Sequence, residues 1–95
     1  MVKVSESPLT TLNKKVEGSY EKMKQLASPQ FTVGGKNVDY SHLSFELYLN
    51  GKQIGHVFYN ANTEQVRITG NPDILMAFAT RLEKNGYTDV GIWTD

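Results

Sequence analysis

The chain contains no cysteine, which excludes a disulfide framework, a thiol nucleophile and a cysteine-ligated zinc site. Cysteine-free chains suit a reducing compartment, so the expected location is the cytoplasm. It also lacks net charge, because ten Lys/Arg balance ten Asp/Glu. A module that grips nucleic acid by neutralising phosphates carries a basic excess, so nucleic acid is a disfavoured partner. No apolar run reaches the roughly 18 residues that a membrane helix requires. No apolar segment follows Met1 either, so neither a membrane span nor a secretory leader is expected. Phosphate loops are missing as well. Gly34-Gly35-Lys36 opens no helix, and Gly70-Asn71 is followed by no lysine. No internal repeat is visible.

What is there describes one ordinary globular domain over residues 1–95, with 1–6 as a loose tail. Of its 95 residues, 39% are hydrophobic and 11% aromatic, enough for a single core. The organising stretch is Leu43–Thr69. Leu43, Phe45, Leu47 and Leu49 alternate with Ser44, Glu46 and Tyr48, the period of a half-buried strand. Asn50-Gly51 follows, the strongest short hairpin signal, because both residues accept positive φ. A two-residue turn there pairs Leu49 with Lys52, Leu47 with Ile54, Phe45 with His56 and Leu43 with Phe58. A three-residue loop, Ala61–Thr63, then sets Val66 against Phe58 and Ile68 against His56. The core face of this meander is thus expected to hold Leu43, Phe45, Ile54, His56, Phe58 and Ile68. The opposite face is expected to hold Ser44, Glu46, Tyr48, Gln53, Gly55, Val57, Tyr59, Arg67 and Thr69, joined by Trp93.

Helices flank this sheet. Ser7-Pro8 reads as a helix start, with a side-chain acceptor and then proline at the first helical position. Leu9, Leu12, Val16, Tyr20, Met23 and Leu26/Ala27 follow at spacings of three and four, and Ser28-Pro29 ends the run. Gly18 weakens its middle, and suggests either close approach of another element or a kink. Tyr20 and Met23 are candidates to exceed what the sheet covers and face a partner. Gln30–Val33 and Lys36–Tyr40 read as a short hairpin turned at Gly34-Gly35, or else as a loop into the long strand. Later, Asn71-Pro72-Asp73 caps a second helix with the stripe Ile74, Leu75, Phe78, Ala79 and Leu82. Asn85-Gly86 stops it. Tyr87–Thr94 reads as a last strand, parallel to 65–69 through a βαβ crossover. The expected fold is α+β, a two-layer sandwich of a four- to five-stranded antiparallel sheet with two helices on one face, in the order α-(β)-β-β-β-α-β.

The functional expectation lies on the uncovered face. Tyr48, Tyr59, Arg67, Trp93, Glu46 and His42 are the candidate partner-binding residues, since tyrosine, tryptophan and arginine are favoured anchors. The expected function is a non-enzymatic protein-interaction module, a small regulator or inhibitor such as a phage-encoded antagonist of a host factor. A protein partner is expected, and a homodimer is compatible with the pattern. A nucleic-acid or nucleotide binder using the same face is the alternative, and the wide spacing of Tyr48 and Tyr59 weakens base stacking. A small enzyme built on His42 and Asp39 is the third reading, with no nucleophile evident beside the pair. No cofactor is expected. No metal is expected either, because His56 is assigned to the core while His42 and Glu46 face away from it.

Overall fold

The structure is a computed structural model that describes residues 8–94, with side chains from Asn13 onward. The tail and the Ser7 cap lie outside the described residues. The chain runs α1 (Pro8–Ala27), β1 (Thr32–Asp39), β2 (His42–Leu49), β3 (Lys52–Asn60), β4 (Gln65–Gly70), α2 (Pro72–Lys84) and β5 (Asp89–Trp93). The five strands form one sheet in chain order. The first four are antiparallel neighbours, and β5 joins β4 in parallel. Both helices cover one face, giving the expected α+β sandwich.

The helices form where the sequence signals place them. In α1, Val16, Met23 and Ala27 are fully buried. Tyr20 meets Phe45 edge-on at 5.4 Å between ring centroids, so Tyr20 and Met23 serve the core and not a partner. Gly18 is exposed, and a β-carbon there would touch nothing within 4 Å. It therefore admits no close neighbour. At the start of α2, Asn71 Oδ1 accepts from the Asp73 amide at 2.9 Å, with Pro72 behind it, as the capping argument requires. At its end Gly86 adopts φ 105°. The Tyr87 amide returns to the Leu82 carbonyl at 3.1 Å and the Gly86 amide to Glu83 at 3.3 Å, which is a Schellman cap. Arg81 ties the helices together. Its Nε donates to the Leu26 carbonyl at 2.7 Å, in the last turn of α1, and its other arm reaches Gln30 Oε1 at 2.9 Å. A guanidinium at that carbonyl end complements the helix dipole.

The sheet departs from expectation at three places. Gly34-Gly35 does not reverse the chain. Thr32–Asp39 is a single strand with an irregularity between Gly34 and Asn37, and the reversal comes at Tyr40-Ser41, where Asp39 pairs with His42. Asn50-Gly51 turns as expected, with φ 54° and 79° and Leu49 opposite Lys52. One step later Tyr48 pairs with Gln53 but Leu47 with Gly55. Ile54 is therefore an extra residue, a β-bulge, and every position of β3 beyond it changes face. The third loop holds four residues, Ala61–Glu64, since Asn60 pairs with Gln65. Asn60 Oδ1 accepts from the Asn62 amide at 2.9 Å, and Glu64 takes φ 61°.

These shifts rewrite the core. Gly55, Val57 and Tyr59 are buried, whereas His56 and Phe58 lie on the opposite face. Tyr59 is 3% exposed and meets Tyr87 edge-on at 5.9 Å. The core comprises Leu43, Phe45, Leu47, Val57, Tyr59, Val66 and Ile68 from the sheet. Val16, Met23, Phe31, Leu75, Phe78 and Leu82 pack on them. Gly55 and Gly70 are register partners, and a β-carbon on Gly55 would lie 2.9 Å from the Thr69 carbonyl and 3.4 Å from Leu75. This bare patch lets the start of α2 settle on the sheet. Val90 and Ile92 point to the core, partly buried.

Two stability outcomes follow. In urea unfolding, Phe45→Ala costs about 3–5 kcal/mol by leaving a cavity under Tyr20, whereas Phe58→Ala costs under about 1 kcal/mol because its ring is outside the core. Equal losses would contradict the bulged register. Gly18→Ala raises stability by up to about 1 kcal/mol, since it restores helix propensity and meets no neighbour; a lowered midpoint would show that Gly18 is constrained.

Candidate functional site

Strand pairing sorts the uncovered face into rows. Asp39, His42, Asn60, Gln65 and Asp89 form the first, and Asn37, Ser44, Phe58, Arg67 and Gly91 the second. Glu46, His56, Thr69 and Trp93 form the third, with Gly34 at its edge. Successive rows on one face are about 7 Å apart at ordinary strand rise.

Aromatic and cationic groups dominate the second and third rows. Phe58 is 42% exposed and Trp93 45%. The His56 and Phe58 rings stack, 4.6 Å between centroids and 7° from parallel. The Trp93 ring folds back over Gly91, where a β-carbon would come within 2.6 Å of it. The Arg67 guanidinium sits 4.9 Å from the Trp93 ring centre, a cation–π contact. At the other edge Tyr48 lies over Gly34, 3.2 Å from where a β-carbon would be, and its hydroxyl donates to Glu46 Oε1 at 2.5 Å.

A concavity of about 290 Å³ opens between the first two rows. Asn37, Asp39, His42, Ser44, Asn60, Gln65 and Arg67 surround it. Phe58 forms one wall, and Leu43 and Tyr59 complete the floor. Tyr40 stands in the adjoining two-residue turn, 70% exposed and at φ 55°. Positive φ suits glycine, asparagine or aspartate; a bulky aromatic there is strained. This large apolar ring is thus held in solvent at a position unfavourable for folding.

Five of the six sequence-derived candidates do share this face: Tyr48, Arg67, Trp93, Glu46 and His42. Tyr59 does not, because the bulge turns it into the core. His56 moves the other way, which brings it opposite Glu46 and onto the same face as His42. Even so, no group of three or more His, Asp or Glu residues among the described residues is placed to hold a metal ion. His42 contacts Asn60 Nδ2 at 3.3 Å. Among the described residues no hydrogen bond links His42 to Asp39 or to Ser44, although the three share the concavity.

Sequence reasoning missed Phe58, His56, Tyr40 and the amides Asn37, Asn60 and Gln65. Alternation of Asn37, Val38 and Asp39 was the available signal for a strand ending at Asp39, and hence for a turn at Tyr40-Ser41. The Ile54 bulge left no such signal, since Ile54, Val57, Phe58 and Tyr59 are apolar on both parities. Comparison of the chain with family models, with curated proteins and with solved structures finds no match in any of the three.

The Tyr48–Glu46 pair carries a pH outcome. The hydrogen bond to the Glu46 carboxylate, with smaller additions from desolvation and charge repulsion, raises the Tyr48 phenol above its ordinary 10.0. The native state therefore favours the neutral phenol. Its contribution is whole below the ordinary phenol pKa and disappears as pH rises through the raised value. Burial raises Tyr87 as well, so ultraviolet titration should show two tyrosines ionising late, of which one returns towards 10.0 in Glu46→Gln; an unchanged titration in that variant would exclude the pair as cause.

Proposed function

We propose that this protein is a non-enzymatic interaction module that holds a partner protein on the uncovered face of its sheet. The observation that carries the reading is that exposed Phe58 and Arg67 line a concavity, with exposed Trp93 stacked against Arg67 beside it, on the face opposite both helices. Aromatic residues and arginine dominate binding energy at protein interfaces, and large rings exposed together on a small domain mark interaction sites. Tyr40 extends this argument, because its strained, solvated ring weakens folding and suits contact.

Charge favours protein over nucleic acid. The three rows hold the carboxylates Asp39, Glu46 and Asp89 against one guanidinium, Arg67. A phosphate backbone would meet a mainly acidic sheet. The enzyme reading draws no support from the hydrogen bonding of His42, which engages an amide. A regulator or inhibitor would act here by occupying its partner's surface. No helix among the described residues is long and apolar enough to cross a membrane.

The test compares the immobilised wild-type protein with Phe58→Ala, Trp93→Ala and the exposed α2 variant Met76→Ala, using lysate of the native host. The expected outcome is a specific protein retained by wild type and Met76→Ala and lost by both face variants, with thermal midpoints within a few degrees. Retention by both face variants would remove the uncovered face from the function. Loss of a doubled solution mass in the face variants would instead identify the partner as a second copy.

A further inference from the structure

We propose that the concavity receives the guanidinium group of an arginine presented by the partner protein. This rests on the interaction reading above and specifies the chemistry at its centre. The His56 ring covers one face of Phe58. The concavity is walled by Phe58 but not by His56, so it opens onto the other face of the same ring. A flat group entering there continues the stack. Phe58 is already partly desolvated by its neighbour, and a planar cation gains from the electron-rich ring face while apolar groups gain area alone.

The second observation is an available carboxylate. Asp39 lines the same concavity, is exposed, and has no ion-pair partner among the described residues. A carboxylate accepts the two parallel N–H groups of a guanidinium in one plane, which an ammonium does not match. Asn60 does not compete for the cation, because its Oδ1 accepts from the Asn62 and Thr63 amides and its Nδ2 faces His42. Arg67, the cross-strand neighbour of Phe58, also lines the concavity; its guanidinium is held 4.9 Å from the Trp93 ring centre on β5, whereas Asp39 stands on β1. Asp39 and Phe58 thus offer a charge and a stacking surface within one recess. Its size, about 290 Å³, lies at the small end of ligand pockets and suits one long side chain more than a folded segment. Tyr40, beside Asp39 in the chain, stands where the rest of the partner would pass.

The experiment is a nitrogen-15 NMR titration of the full chain with acetyl-Gly-Arg-Gly-amide, repeated with its citrulline, glutamate and adenosine monophosphate counterparts. The expected result is saturable movement of the Asn37, Asp39, His42 and Phe58 amides with the arginine peptide, about tenfold weaker with uncharged citrulline. Asp39→Asn and Phe58→Ala, both surface substitutions, keep a dispersed spectrum and lose the response. Equal binding of citrulline overturns the proposal. So does saturation of the same amides by glutamate or adenosine monophosphate in place of arginine, or an absence of shifts at these residues. Any of those results leaves the Phe58- and Trp93-dependent capture standing, whereas loss of that dependence removes the interaction face itself.

Discussion

One extra residue decides which side of this protein meets solvent. Ile54 enters β3 without an opposite number in β2, so the alternation of the strand is reset after the Asn50-Gly51 turn. Without the bulge, Phe58 would press into the core and Tyr59 would stand outside. With it, Val57 and Tyr59 join the packing of α1 and α2, and Phe58 with His56 is left on the open sheet. The β4 pairing inherits the same setting, because Tyr59 faces Val66 and Phe58 faces Arg67. The β5 pairing then follows, and Trp93 and Gly91 arrive beside Arg67. The Phe58 and His56 part of the uncovered surface therefore depends on a backbone irregularity in β3, while Arg67 and Trp93 keep the face that alternation on β4 and β5 assigns them.

What could be read from the sequence was whatever had a local cause. The cap at Asn71-Pro72, the stop at Asn85-Gly86, the turn at Asn50-Gly51 and the stripe of α1 each arise from residues within a few positions of one another. The uncovered face, and Arg67, Trp93, Glu46, His42 and Tyr48 on it, followed from strand alternation on β2, β4 and β5, where one parity is clearly polar. On β3, Ile54, Val57, Phe58 and Tyr59 are apolar on both parities, so burial does not choose between registers. Gly34-Gly35 drew the expected turn towards itself. Tyr40-Ser41 turns the chain without a glycine, with Tyr40 itself at φ 55°.

The two faces use cations differently. On the covered side Arg81 joins the end of α1 to α2 through the Leu26 carbonyl and Gln30, and Lys22 reaches the Asn85 carbonyl at 2.6 Å. Lys15 pairs with Glu64 at 3.4 Å and Lys36 with Glu17, each bridging α1 to the sheet. These contacts lie at the surface and steady the helix more by geometry than by energy. Among the described residues, Arg67 on the uncovered side meets the Trp93 ring and no carboxylate, and Asp39 meets no cation.

Strand order has a kinetic meaning. Neighbours in the sheet are neighbours in the chain from β1 to β4, joined by two short turns and one four-residue loop. Each pairing can zip from its own turn with little loop entropy to overcome, which is the condition for rapid folding of a β-rich domain. The exception is β5, whose partner lies across a whole helix. The Arg67–Trp93 contact, which spans that connection, therefore closes the longest loop in the sheet.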